Sequence, residues 1–293
     1  MPSGLLQGAY DLHVHSAPDI MPRKMDDLDM AQRIRNSGMK GYAIKSHYFC
    51  TGERAALIRR QFPDVQAIGA ICLNNSVGGL NPLAVEVAAR AGAKIVWMPT
   101  VDAANEQNRL KSTAQDKLPY WARMQKEMSS QGLATLPISI TENGELKQSV
   151  YEVLKIIAKY NLVLATGHVS WEEARTLVKA AAEMNVKKII VTHADFPSTF
   201  LTNEQQREML DYGAFIEHCF TTPNTNKVAW SVVFDQIKFA GPAHCILSTD
   251  LGQPQALYPD EGLEKFASTL MANGFAEKDI EYMIKINPAV LVS

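Results

Sequence analysis

The feature that most restricts this chain is a repeated alternation. Short apolar runs of strand length are each followed by an amphipathic stretch of helical length. Eight such runs occur, at residues 9–15, 41–47, 66–73, 94–98, 162–166, 188–192, 214–219 and 244–247. Helical patterns fall at 25–36, 53–60, 83–91, 146–159, 171–184, 203–210, 226–239 and 261–272. A strand that needs a helix before its parallel neighbour is a βαβ unit. Eight of them, apolar on both faces, fit an α/β chain closed into a (β/α)8 TIM barrel of about 250 residues better than an open sheet. Ser170 with Glu173 three residues on reads as a capping box, and Gly38, Gly92, Gly213 and Gly241 stand where helices should stop. One stretch breaks the repeat. Between the fourth and fifth strands come a polar loop at 101–118, a helix at 120–131 and an alternating run that turns at Asn143-Gly144, the signature of a hairpin. The expectation is one barrel domain over residues 1–293 with a helix-and-hairpin insertion between strands four and five.

Barrels of this kind carry their chemistry at the carboxyl ends of the strands. The first strand ends Asp11-Leu12-His13-Val14-His15, where a period of two puts both histidines on one face. The second ends Lys45-Ser46-His47, aiming Lys45 and His47 together by the same alternation. The fifth ends Thr166-Gly167-His168, the sixth Thr192-His193-Ala194-Asp195 and the eighth Ser248-Thr249-Asp250. Of only seven histidines in the chain, five sit at one rim. Paired neutral imidazoles have little structural use inside a barrel, whereas nitrogen and oxygen donors with an open position suit a catalytic divalent metal. The metal ligands expected are His13, His15, Lys45, His47, His168, His193 and Asp250.

Composition excludes other classes. With 29 Lys+Arg against 31 Asp+Glu the chain lacks the basic excess of a nucleic-acid binder. Residues 1–8 show no basic, apolar leader pattern and no run reaches transmembrane length, so a cytoplasmic location without membrane attachment is expected. Cys50, Cys72, Cys219 and Cys245 are widely spaced and read as free thiols.

The motifs D-L-H-V-H (Asp11 to His15), T-G-H (Thr166 to His168), T-H-A-D (Thr192 to Asp195), S-T-D (Ser248 to Asp250) and the terminal I-N-P-A-V-L at 286–291 together resemble the amidohydrolase superfamily. The resemblance extends from Asp11 to Leu291. The stretches 45–47, 73–82 and 96–100 further resemble an uncharacterised subgroup of it. It implies that His13, His15 and Asp250 bind one divalent metal and that His168 and His193 bind a second metal or the substrate. Zinc is the first expectation, with manganese or iron as alternatives. The chain departs from the commonest pattern: the fourth strand has Lys94 at its start and no lysine near its end, and the third offers Asn74 where some subgroups have glutamate. Two roles stay open for the second strand. Either Lys45 is carbamylated and bridges two metals, or it stays cationic, neutralising substrate or Asp11, with His47 as the extra ligand.

The implied chemistry is metal-assisted hydrolysis of a C–N or ester/lactone carbonyl in a small molecule, with Asp250 moving the proton. Phosphoester hydrolysis of the polymerase and histidinol phosphatase type is the runner-up. Its first motif is also H-x-H, but the histidine expected after Asp250 is absent. Metal-dependent decarboxylation or isomerisation on the same barrel is a further alternative. Substrate contacts are expected from Arg23, Asn74, Thr100 and His218, the last preferred over Glu217 as the inward residue of strand seven. The 103–118 segment is a candidate lid or contact within a homo-oligomer.

Overall fold

A computed structural model describes residues 4–133 and 135–293. Of the amino-terminal stretch 1–8, the first three residues lie outside it. Among the described residues ten strands form: β1 (Tyr10–Val14), β2 (Gly41–Ile44), β3 (Gln66–Cys72), β4 (Ala93–Trp97), β5 (Thr141–Glu142), β6 (Glu145–Leu146), β7 (Val163–Ala165), β8 (Ile189–Val191), β9 (Phe215–Cys219) and β10 (Cys245–Ser248). Eight make one parallel sheet in the order β1-β2-β3-β4-β7-β8-β9-β10. The sheet curls shut at its carboxyl end. There Val14 bridges Leu251, the His15 amide donates to the Leu251 carbonyl at 2.8 Å, and the Asp250 amide donates to the His13 carbonyl at 2.9 Å. This is the expected (β/α)8 barrel.

Alternation along the strands sorts side chains into two apolar layers. Tyr10, Leu12, Ala43, Ile68, Ala70, Ile95, Trp97, Val163, Ile190 and Ile246 fill the barrel interior. Leu291 and Val292, from the terminal helix Asn287–Val292, join that inner cluster. The larger outer cluster lies between strands and helices. The Ser170 capping box closes as expected, and Gly38 ends its helix in the left-handed region at φ 75°. Among the described residues, no helix is long and apolar enough to cross a membrane.

Two details depart from the expectation. In β1, Asp11 pairs with Tyr42 while Val14 pairs with Ile44, so three steps on one strand face two on the other. This bulge breaks strict alternation. Leu12 belongs to the inner cluster, yet the next residue, His13, also faces inward, its ring 5.7 Å from that of Trp97. The second departure is in the insertion. The segment taken as a polar loop contains the helix Ala104–Leu110, followed by Tyr120–Ser130 and the expected β5–β6 hairpin turning at Asn143 and Gly144. Ala104–Leu110 lacks an apolar stripe and carries an ion pair between Glu106 and Arg109 one turn apart, so hydrophobic periodicity gives no sign of it.

Candidate metal centre

His13 sits deepest. Its Nδ1 lies 3.2 and 3.3 Å from the two Glu217 oxygens, and its Nε2 lies 2.7 Å from the Lys45 amine. Burial opposes the charge on Glu217, but His13 and Lys45 hold its carboxyl below the ordinary range. An ionised carboxylate can only accept, so Nδ1 carries a proton and Nε2 is turned to Lys45 and Asp250. His15 is fixed the same way. Its Nδ1 is 2.9 Å from the Lys45 carbonyl oxygen, another obligate acceptor, and its Nε2 faces inward. An Arg23 nitrogen approaches the same Nδ1 at 3.4 Å, but that guanidinium is committed to Asp19 by contacts of 2.9 and 2.7 Å. Burial, then Arg23, lowers the His15 pKa to about 3, so its imidazole is neutral at pH 7.

Both Nε2 atoms converge on Asp250. Its Oδ1 is 3.2 Å from His13 and 3.1 Å from His15, and its Oδ2 accepts from the Thr221 hydroxyl at 3.2 Å. Although burial opposes its ionisation, His13 and His15 hold Asp250 well below the usual carboxylate range. Both Nε2 atoms and a carboxylate oxygen therefore face one point, with the Lys45 amine beside that of His13. A divalent metal fits this set of nitrogen and oxygen donors. Local backbone serves the convergence: His193 and Asp250 adopt left-handed conformations at φ 52° and 53°, uncommon outside glycine and concentrated at functional sites.

A second grouping shares His13. Donor atoms of His13, His193, Glu217 and Cys219 lie within 4.8 Å of one another, as do those of His13, His15 and Asp250. Burial holds the His193 and His168 pKa values below the ordinary one and pushes the Cys219 thiol up. His193 Nδ1 and both nitrogens of His168 have no hydrogen-bond partner among the described residues. His168 stands at 3.6 Å from Glu106. His47 stacks 4.9 Å from His15. His47 and His168 line the same cavity but stand outside both donor groupings.

A cavity of 680 Å³ opens above these groups, walled by Arg23, Glu106, Arg109, Phe196, Lys227 and Gln253 among others. The family of unknown function DUF6282 matches residues 8–217. The chain belongs to this family. The match takes in every candidate ligand except Cys219 and Asp250, which lie beyond it. No curated protein matches this DUF6282 chain. Among solved structures it is similar to an amidohydrolase from Pseudomonas aeruginosa, at 11% identity and a TM-score of 0.65 over 99% of this chain and 98% of that one. It is also similar to the probable dipeptidase PvdM from Pseudomonas aeruginosa (10%, TM-score 0.61, 97% and 94% covered) and to a TatD homologue from Escherichia coli K12 (16%, TM-score 0.60, 98% of each). At such identities the likeness establishes a shared fold, the (β/α)8 barrel.

Several expected contacts of the DUF6282 chain are corrected. Asn74 and Thr100 do not line the cavity. Asn74 donates to the His47 carbonyl at 2.8 Å and to Thr100 Oγ1 at 2.7 Å, and accepts from the Thr100 amide at 2.8 Å. Thr100 Oγ1 then lies 2.9 Å from His47 Nδ1, so the pair positions His47. His218 points out of the barrel, 3.5 Å from Asp195, because Phe215 belongs with the inner cluster and alternation sends Glu217 and Cys219 inward. Lys45 does not neutralise Asp11. That carboxyl accepts from the Thr249 amide and hydroxyl and from the His13 amide, and burial pushes its pKa up to about 7. Arg23 does reach the cavity.

Glu217, Glu106, Arg109 and Lys227 were missed. The phase of Phe215 would have found Glu217, and the three-residue spacing of Glu106 and Arg109 hinted at the short helix. Glu217→Leu is expected to lower metal affinity about 10- to 100-fold, the usual cost of removing a group that orients a ligating histidine. Competition against a chromophoric chelator measures it, and unchanged affinity would exclude the orienting role.

Proposed function

We propose that this barrel is a metal-dependent hydrolase of the amidohydrolase type, acting on a C–N or ester/lactone carbonyl of a small molecule. One observation carries the reading. His13 and His15 each commit Nδ1–H to an obligate acceptor and turn Nε2 onto the same Asp250 oxygen. Catalytic metal sites orient their histidines in this way. His13, His15 and Asp250 would hold one divalent ion, and His193, with Glu217 and Cys219 beside it, supplies donors for a second. Zinc suits this mixture of nitrogen, oxygen and sulfur, with manganese or iron as alternatives. A bound divalent ion supplies Lewis-acid polarisation of a carbonyl and acidifies water towards a pKa of roughly 7.

The chain's own residues do the rest. Asp250 is kept ionised by two histidines and steadied at Oδ2 by Thr221, so it is equipped to take a proton at a carboxylate oxygen and return it to the leaving group. Lys45, whose side chain lines the cavity, steadies negative charge on the substrate oxygen. It shares His13 Nε2 with the first ion and must yield that contact when the ion binds, unless the amine is carbamylated. Phe196, Trp121 and Leu110 give the cavity an apolar wall.

The test is metal analysis of the purified protein, followed by chelation, re-addition and a hydrolysis panel of cyclic amides, acyl amino acids, lactones and phosphoesters. One or two equivalents of metal per chain are expected, with turnover of a carbonyl substrate lost on chelation and restored by metal. A protein that purifies without metal and melts at the same temperature after chelation would refute the proposal. Turnover of phosphoesters alone would give the reaction to the runner-up.

A further inference from the structure

The cavity carries more cations than carboxylates. Among the described residues, Arg23, Lys45, Arg109 and Lys227 line it, with Glu106 and Asp250 as the carboxylates. Their commitments differ. Arg23 is held by Asp19 and Lys45 by His13, while Arg109 pairs with Glu106. Arg109 Nε is buried without a hydrogen-bond partner among the described residues. The Lys227 amine stands over the Phe196 ring, 4.4 Å from its centroid, and the Arg109 guanidinium carbon lies 5.6 Å from the same centroid. That ring also packs 5.4 Å from His193 and 6.0 Å from His168. One aromatic side chain therefore separates two cations from two histidines of the candidate centre.

Two like charges drawn to one ring repel each other, and the face of an aromatic ring compensates a cation only weakly. An oxyanion compensates both. A guanidinium offers a fixed fork of donors and an ammonium a mobile point charge, a pairing suited to carboxylate or phosphoryl oxygens. Glu106 completes the arrangement by holding Arg109 through one terminal nitrogen of its guanidinium. Arg109 comes from the insertion between β4 and β7 and Lys227 from the segment after β9, so two separate excursions from the barrel repeat meet there.

We infer that Arg109 and Lys227 form an oxyanion subsite beside Phe196, and that the substrate carries a carboxylate or phosphoryl group at the end remote from the bond that is cleaved. The substrate class rests on the hydrolase reading proposed above; the oxyanion subsite itself does not. Its role is positional. Anchoring the far end fixes the reacting carbonyl against His193 and Asp250, which turns a collision into an intramolecular encounter.

The experiment is isothermal titration of the protein as purified, with its metal content measured in every sample. The probes are glutarate, its neutral counterpart glutaramide, and glycerol 3-phosphate. Glutarate or glycerol 3-phosphate is expected to bind and glutaramide not to. Whichever anion binds more tightly names the substrate's charged end. Lys227→Met should weaken anion binding about tenfold or more and Arg109→Gln at least as much, while Lys265→Met, on the outer helix Pro259–Ala272, leaves it unchanged. Lys227 makes no ion pair among the described residues, so its variant tests the subsite without breaking one. Equal binding of glutaramide, no binding of either anion, or an unaltered affinity in Lys227→Met would overturn the inference, even if metal were present. Anion binding that depends on Lys227 in a protein without metal would uphold the subsite and refute the hydrolase reading instead.

Discussion

Asp250→Asn is expected to empty the first metal position while leaving the barrel folded. Asparagine is nearly the same size and, like aspartate, tolerates the left-handed backbone that residue 250 adopts at φ 53°. What changes is charge. Asp250 is the carboxylate that faces the Nε2 atoms of both His13 and His15, and an amide in its place presents either a neutral oxygen or an N–H to them. Breaking a buried charge pair costs about 3–5 kcal/mol. At 1.4 kcal/mol per factor of ten, that is roughly 10²- to 10⁴-fold in metal affinity. Chelator competition measures the loss and near-ultraviolet circular dichroism checks the fold. A folded variant whose affinity stays within threefold of the parent would remove Asp250 from the ligand set.

Gly252→Ala is expected to have the largest effect on stability. The residue sits at φ 139°, and a β-carbon there would lie 1.8 Å from the His15 carbonyl oxygen and 2.7 Å from its carbon. These are backbone atoms of the residue that follows β1, whose own amide is bonded to the Leu251 carbonyl, so no side chain can swing aside. Strain of this kind costs about 4 kcal/mol or more. For a chain of this size that corresponds to a fall in melting temperature of roughly 8–16 °C. Gly274→Ala is the matched control. It also has a left-handed backbone, at φ 89°, but nothing lies within 4 Å of the added carbon. A drop of about 1 kcal/mol is expected there. Equal shifts in the two melting curves would disprove the close-contact account. Because the displaced carbonyl belongs to His15, loss of metal should accompany the fall in Gly252→Ala and not in Gly274→Ala.

The barrel was legible because its physics is local. Each strand is a short run too apolar for the surface, each helix has one apolar face, and both periods survive in a single sequence. His13, His15, His193 and Asp250 were legible for a related reason, since a strand end in this architecture is also a rim position. What failed was phase. Alternation without an anchor cannot say which of Glu217 and His218 is inside; the packing of Phe215 decides it. Nor does alternation foresee the bulge that lets Leu12 and His13 both reach the interior. Asn74 and Thr100 misled because a polar residue at a strand end can serve its neighbours as readily as a ligand, and here both hold His47. Arg109 and Lys227 lay in segments without a period, where only three-dimensional proximity shows that they share a ring.

The hydrogen bonds that close the barrel run through the backbones of His13, His15, Asp250 and Leu251. His13 in the first strand, His15 just past its end and Asp250 just past the end of the last supply the three side chains of the first donor group. An ion held by those three residues would act as a clasp across the seam where the sheet's beginning meets its end. Mass action then couples the fold to metal supply. Free metal at a hundred times its dissociation constant would add about 2.7 kcal/mol to the native state. A chain short of metal would part first at that seam, with the helices between still packed, so metal starvation would register as a shorter lifetime of the protein as well as a slower reaction.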